Sequence, residues 1–130
     1  MTNATYDFER ANQHFRDRIA FTTGVHELEV LISSKASPDS YQVVDVRYPA
    51  DFAAARVPGA INLPKGKWRN AQGLKKDIPT YVYCYNQTCH LAAEAAIELT
   101  AQGYRVIEVE GGWDTWVKNG YIQDTQPVAA

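Results

Sequence analysis

The stretch Pro79-Thr80-Tyr81-Val82-Tyr83-Cys84-Tyr85-Asn86-Gln87-Thr88-Cys89-His90 decides how this chain reads. Thr80 to Tyr83 is rich in β-branched and aromatic residues, so it predicts a strand. From Leu91 the pattern changes: Ala92, Ala95, Ala96 and Leu99 recur at helical spacing, and Gly103 supplies a stop. A short polar turn that begins with a cysteine lies between the two. A strand ending in Cys84, followed by a helix, puts that sulfur where loop N–H groups and a helix N-terminus can converge. Such a place favours the thiolate and can hold an anion.

Working outward, 130 residues predict one domain with a sizeable core. A net charge of -2 gives no reason to expect nucleic acid. Lys65, Lys67, Arg69, Lys75 and Lys76 form a local basic stretch, read as a solvated surface or as a means of steering an anionic substrate. No apolar run approaches the ~18 residues of a membrane span. The polar start, Met1-Thr2-Asn3-Ala4, lacks a signal-peptide core, so the expected location is cytoplasmic, away from membranes. Both cysteines fall in one loop, which points to chemistry rather than stapling.

Residues 6–20 carry Phe8, Ala11, Phe15 and Ile19 on one face of an amphipathic helix. That stripe is expected either to pack on the domain or to form a partner or dimer surface. A short strand follows, and Thr23 is placed to cap the next helix, whose stripe is Val25, Leu28, Leu31 and Ile32. Tyr-Gln-Val-Val-Asp-Val at 41–46 lacks clean alternation and suits a central strand buried on both faces. Asp45 near its end must find partners, and Arg47 is close enough to serve; the pair is either a structural anchor or part of a site.

Residues 50–55 predict a short helix, 65–78 an irregular helix around Trp68 and then a turn at Gly73, 104–109 a strand, 113–118 a final helix and 120–130 a loosely held tail. Strands alternating with helices imply α/β architecture with a mostly parallel sheet, whose sites form at the carboxyl ends of strands. Cys84 and Asp45 both sit there.

Asp45-Val46-Arg47, Asp51-Phe52 and the run from Val57 through Pro58, Gly59, Ala60, Ile61, Asn62 and Leu63 to Pro64 resemble the opening signature of the rhodanese-like domain. Tyr83-Cys84, Ala95-Ala96, Gly103-Tyr104 and Gly111-Gly112-Trp113 with Trp116 resemble its second half. The resemblance implies a central five-stranded, mostly parallel sheet flanked by helices. It divides the chain into an N-terminal helical extension (1–23), the domain (24–118) and a tail (119–130). It also implies a sulfurtransferase that moves sulfane sulfur from a donor such as thiosulfate or a persulfide to a thiol or cyanide-like acceptor. Cys84 would be the catalytic residue and carry the sulfur as a persulfide, with no cofactor. Three departures mark this member. The loop reads Tyr-Asn-Gln-Thr-Cys-His rather than carrying glycine and Arg-Ser, and it resembles the subgroup with a Cys-x4-Cys loop. Arg56 stands where a histidine is frequent, and the distance from Cys84 to Ala95-Ala96 exceeds the commonest form.

A sulfane sulfur is electrophilic and a thiolate attacks it. Tyr85, Asn86, Gln87, Thr88, Cys89 and His90 are assigned as the cradle for the persulfide anion, mainly through backbone N–H groups, with Asn86, Gln87 and Thr88 shaping entry. Cys89 has two readings: a resolving thiol that releases sulfide and leaves a disulfide, or a small buried residue at the helix start. His90 either supports the thiolate or caps the helix. Cys84, Cys89 and His90 supply only three potential ligands, which argues against zinc. Two alternatives accompany sulfur transfer: a thiol–disulfide or oxyanion reductase using Cys84 and Cys89, and a non-catalytic binding module. Phosphatase and arsenate-reductase relatives use a Cys-x5-Arg loop; His90 stands at that arginine's position and argues against them.

Overall fold

The computed structural model describes residues 5–128. The elements in order are α1 (Phe8–Phe21), β1 (Thr22–Gly24), α2 (Val25–Ser33), β2 (Gln42–Asp45), α3 (Pro49–Ala54), β3 (Ile61–Asn62), β4 (Pro79–Tyr83), α4 (Leu91–Ala101), β5 (Arg105–Glu110) and α5 (Gly112–Lys118). The five strands form one parallel sheet in the order β1-β5-β4-β2-β3. The expected α/β architecture is therefore the observed one, and β4 is its central strand.

Strand alternation divides the core between two faces. Val44 and Val82 pack with Ala92, Ala95 and Leu99 of α4 on one face. Val43 and Tyr83 pack with Leu28 of α2 and Trp116 of α5 on the other. All four residues of β2 are buried, as a strand covered on both sides requires.

The charge at the end of β2 is resolved in full. Asp45 and Arg47 are both buried. Arg47 donates from Nη2 to Asp45 at 2.7 Å and to the Ala55 carbonyl at 2.6 Å, and its backbone N–H donates to Asp45 at 2.8 Å. The Tyr83 hydroxyl donates to the same carboxylate and accepts from Val57 N–H at 3.1 Å. Burial works against the Arg47 cation, but the bonds to Asp45 and its charge outweigh this and hold the pKa above its ordinary value. Burial first, then the Asp45 charge, pushes the Tyr83 phenol far up, so it stays a neutral donor.

Three local expectations are corrected. Gly24, not Thr23, caps α2, because Thr23 lies inside β1 where its backbone pairs with Val109. The irregular helix expected around Trp68 is absent: residues 65–70 form turns and bends, and the expected turn at Gly73 is a bend. Trp68 is fixed instead by its indole N–H on the Leu63 carbonyl at 2.7 Å, and Gln42 fixes Lys75 through both side-chain atoms. The tail is tied rather than loose. Arg56 and Asp124 form an antiparallel bridge, Arg56 Nη2 donates to Gln126 O at 2.7 Å, and the Trp116 indole donates to Ile122 O at 2.8 Å. Of the two readings of the α1 stripe, packing on the domain is not the one observed, since α1 buries no residue.

The turn from β5 into α5 closes on the cysteine loop. Trp113 N–H donates to Cys84 O and Asp114 N–H to Tyr85 O, both at 2.8 Å. This approach needs glycine at position 112: its φ is +62°, and a Cβ there would stand 2.6 Å from Cys84 O and 3.0 Å from Asn86 N.

Two stability effects are expected in urea denaturation. Asp45→Ala leaves Arg47 buried without its counter-charge and costs about 3–5 kcal/mol. Gly112→Ala costs about 2–4 kcal/mol, from strain plus backbone overlap. Gly120→Ala serves as its control: φ is +72° with nothing within 4 Å of the added carbon, so only about 1 kcal/mol is lost.

Candidate functional site

Cys84 is the first residue after the central strand, and its side chain lies on the α4 face beside Val46, Leu63 and Val82. It is 2% exposed and disulfide-bonded to Cys89, with Cα atoms 6.5 Å apart. The ionised thiol expected from the sequence is thus not the state observed. Cys89 is not simply a small apolar residue at the helix start either: it is half-buried and holds Cys84 as its partner. A five-residue step across a tight loop folds the second sulfur back onto the first.

The loop is built by its own side chains. Asn86 accepts from Thr88 N–H at 3.1 Å and from the Thr88 hydroxyl at 3.0 Å, and the Asn86 carbonyl accepts from Cys89 N–H at 3.2 Å. The amides of Thr88 and Cys89 are therefore engaged within the loop. Those of Tyr85, Asn86 and Gln87 donate to no group among the described residues. Gln87 anchors the loop to the β5 end: its amide nitrogen donates to Glu110 at 3.1 Å, and its oxygen accepts from Gly111 N–H at 2.6 Å. The side chains of Asn86 and Gln87 thus shape the loop itself. Thr88 and His90 are exposed. His90 occupies the cap position of α4 but makes no side-chain capping bond, so its backbone alone starts the helix.

Aromatic residues brace the loop from behind. The Tyr85 hydroxyl donates to Asp51 and accepts from Tyr48 N–H at 3.0 Å. Burial, then the bond to Asp51, raises the Tyr85 pKa. The Arg47 guanidinium lies 4.5 Å from the Trp113 ring centroid and 5.9 Å from that of Tyr85. Asp45 and Arg47 therefore stand beneath the loop as a buried support, joined to it by Tyr83 and Tyr85, rather than at its surface. Sequence reasoning did not find Tyr85's tie to α3 or Glu110's tie to Gln87; both join residues distant in the chain, and no local pattern signals them.

Glu110 and Glu108 flank the other side. Burial raises the Glu110 pKa, but the bonds from Gln87 and Arg18 and the Arg18 charge outweigh it, so the carboxyl lies below its ordinary range. Burial and the Glu110 charge raise Glu108. Of the basic stretch, Lys67 and Arg69 line a groove of about 640 Å³ with Pro49, Asn62 and Pro64, next to the carboxyl ends of β2 and β3. No helix among the described residues is long and apolar enough to cross a membrane.

Comparison with known proteins agrees with this arrangement. The family model described as the rhodanese-like domain matches residues 25–119. A thiosulfate sulfurtransferase, GlpE, of Pseudomonas fluorescens is 38% identical over 76 residues, covering 57% of this chain and 68% of the relative. A sulfurtransferase of Allochromatium vinosum is 30% identical over 94 residues, covering 71% and 86%. Among solved structures, a Bacillus halodurans protein superposes with a TM-score of 0.79 at 26% identity, covering 95% of this chain and 91% of that one. A rhodanese-related protein of Thermoplasma volcanium gives 0.68 at 25% identity, covering 81% and 98%. With a parallel sheet ordered β1-β5-β4-β2-β3, a cysteine loop leaving its central strand and a family match over most of its length, the chain belongs to the rhodanese-like family.

Proposed function

We propose that this protein is a rhodanese-type sulfurtransferase that loads sulfane sulfur onto Cys84 and passes it to a thiol or cyanide-like acceptor. The observation that carries the reading is the placement of Cys84, at the carboxyl end of the central strand and the start of a loop that feeds α4. The sulfurtransferase relatives support it, and those named for thiosulfate make that anion the donor to test first.

The cycle begins with the Cys84–Cys89 bond reduced. A thiol or dithiol reductant supplies two electrons by exchange and leaves as its own disulfide. The Cys84 thiolate then attacks the outer sulfur of thiosulfate. The new S–S bond forms as the old one breaks, and sulfite leaves with the bonding pair. The product is an anionic Cys84 persulfide. The unengaged amides of Tyr85, Asn86 and Gln87 and the N-terminus of α4 are the groups this reading assigns to that charge. An acceptor thiolate finally takes the outer sulfur and regenerates the Cys84 thiolate. Asp45 and Arg47 act as positioning residues beneath the loop.

The disulfide favours a second reading of the last step. The sulfur of Cys89 can attack Cys84 Sγ of the persulfide and close the Cys84–Cys89 bond, the same bond the structure holds, while the Cys89 thiol proton passes to the outer sulfur, which leaves with the bonding pair as hydrosulfide. The protein would then be a persulfide reductase that consumes one dithiol per turnover.

Intact-mass spectrometry of reduced protein incubated with thiosulfate should show the added mass of one sulfur atom, removable by cyanide and absent in Cys84→Ser. An adduct that survives Cys84→Ser overturns the assignment. Cys89→Ser separates the two endings. If Cys89 resolves the persulfide, the variant retains the adduct, whereas the parent releases sulfide and returns to the disulfide; if Cys89 only closes the resting loop, parent and variant transfer sulfur to an external thiol at rates within about threefold.

A further inference from the structure

Helix α1 exposes a continuous apolar stripe. Phe8 is 79% exposed, Phe15 55% and Ile19 83%. With Asn12 they follow a spacing of four, three and four residues, the seam of a two-stranded coiled coil. Toward the domain the helix is tethered where Arg18 pairs with Glu110, and of its residues only Ala11, at the edge of the stripe, and Asp17 are half-buried. Nor is that inner side filled by the helix: Phe21 is exposed, and a groove of about 620 Å³ separates α1 from α4. Three large apolar side chains on one turned-out face mark an interaction surface rather than scattered exposure.

We propose that this surface pairs with a second copy of the chain, the two α1 helices lying antiparallel across a two-fold axis. The pattern is complementary to itself. Setting Phe8 against the partner's Ile19 sets Asn12 against the partner's Phe15, so each large ring meets an aliphatic or smaller side chain. Glu9 and Arg16 flank the seam on one side. In this register Glu9 faces the partner's Arg16, and the symmetry repeats the pair. A parallel pair would put Arg16 beside the partner's Ala11, with no opposite charge. Within each helix Asn12 Oδ1 already accepts from Arg16 Nε at 2.8 Å, which leaves the outer guanidinium nitrogens of Arg16 for the partner's Glu9. The contact is one 14-residue helix per chain, about two heptads, so the dimer is a weak one with a midpoint in the micromolar range. This inference does not rest on the sulfur-transfer reading.

Sedimentation velocity and equilibrium from low micromolar to several hundred micromolar protein test it. The parent should rise with concentration from the 14.6 kDa chain mass toward twice that value. Phe15→Glu, at an exposed position that leaves the fold intact by circular dichroism, should raise the dissociation midpoint roughly a hundredfold or more. Glu9→Arg and Arg16→Glu should each weaken pairing by about tenfold, and the double charge swap should restore it to within about threefold of the parent. A parent that stays monomeric throughout the range, a dimer indifferent to Phe15→Glu, or a double swap no tighter than its singles would each overturn the proposal.

Discussion

The buried Asp45–Arg47 pair is the constraint on which the rest of the structure depends. Stripping water from two opposite charges costs several kcal/mol per ion, and their attraction offsets this only when the remaining donors and acceptors are filled. Here they are. Asp45 accepts from the Arg47 backbone and guanidinium and from Tyr83, and Arg47 also reaches the Ala55 carbonyl. Those partners sit on β2, β4 and the end of α3, and the guanidinium stacks on Trp113 of α5. Four elements thus share one relative placement in which no buried polar side-chain atom among the described residues lacks a partner. An apolar cluster could bury as much area in several arrangements; a fork of charged hydrogen bonds permits far fewer.

That constraint reaches the candidate site through the residues on either side of Cys84. Tyr83 points to the α5 face and ends on Asp45; Tyr85 points toward α3 and ends on Asp51. Burial drives both phenols to higher pKa, so each remains protonated and keeps donating throughout the range in which a thiol titrates. Alternation then leaves Cys84 on the opposite face, against α4. With both neighbours pinned and the Cys84 carbonyl held by Trp113 N–H, the sulfur has little freedom to wander.

Much of this was legible along the chain. The strand-to-helix change around Cys84 was readable because periodicity switches within a few residues, and the doubly buried β2 because Val43-Val44 breaks alternation. Arg47 was identifiable as Asp45's partner because two residues suffice for the contact. The rest rested on distance. Cysteines five positions apart are free to pair or to point apart, and only the turn at Asn86 decides. Residues 65–78 have a fixed conformation without periodicity, because Gln42 and Gln102 bond backbone groups more than 30 positions away. The stripe of α1 reads the same whether a helix packs on its own domain or on another chain, since periodicity reports a buried face and not what buries it.

The outer helix and the cysteine loop meet at one carboxylate. Glu110 accepts from Arg18 of α1 at 3.1 Å and from Gln87 of the loop at 3.1 Å. This carboxylate is the route by which a partner of α1 would be felt at Cys84. Its strength is bounded by its exposure: the Arg18 side chain is 56% exposed and that of Glu110 27%, and water-screened pairs of this kind contribute about 0–1 kcal/mol. A coupling free energy cannot exceed the interaction that transmits it. Pairing through α1 can therefore bias the loop by a factor of about five at most. By contrast, a sulfur held in the Cys84–Cys89 bond is no thiolate, so in the proposed sulfur transfer the exchange that opens this bond outweighs anything α1 transmits. In the proposed dimer α1 would then serve as a contact rather than as a switch.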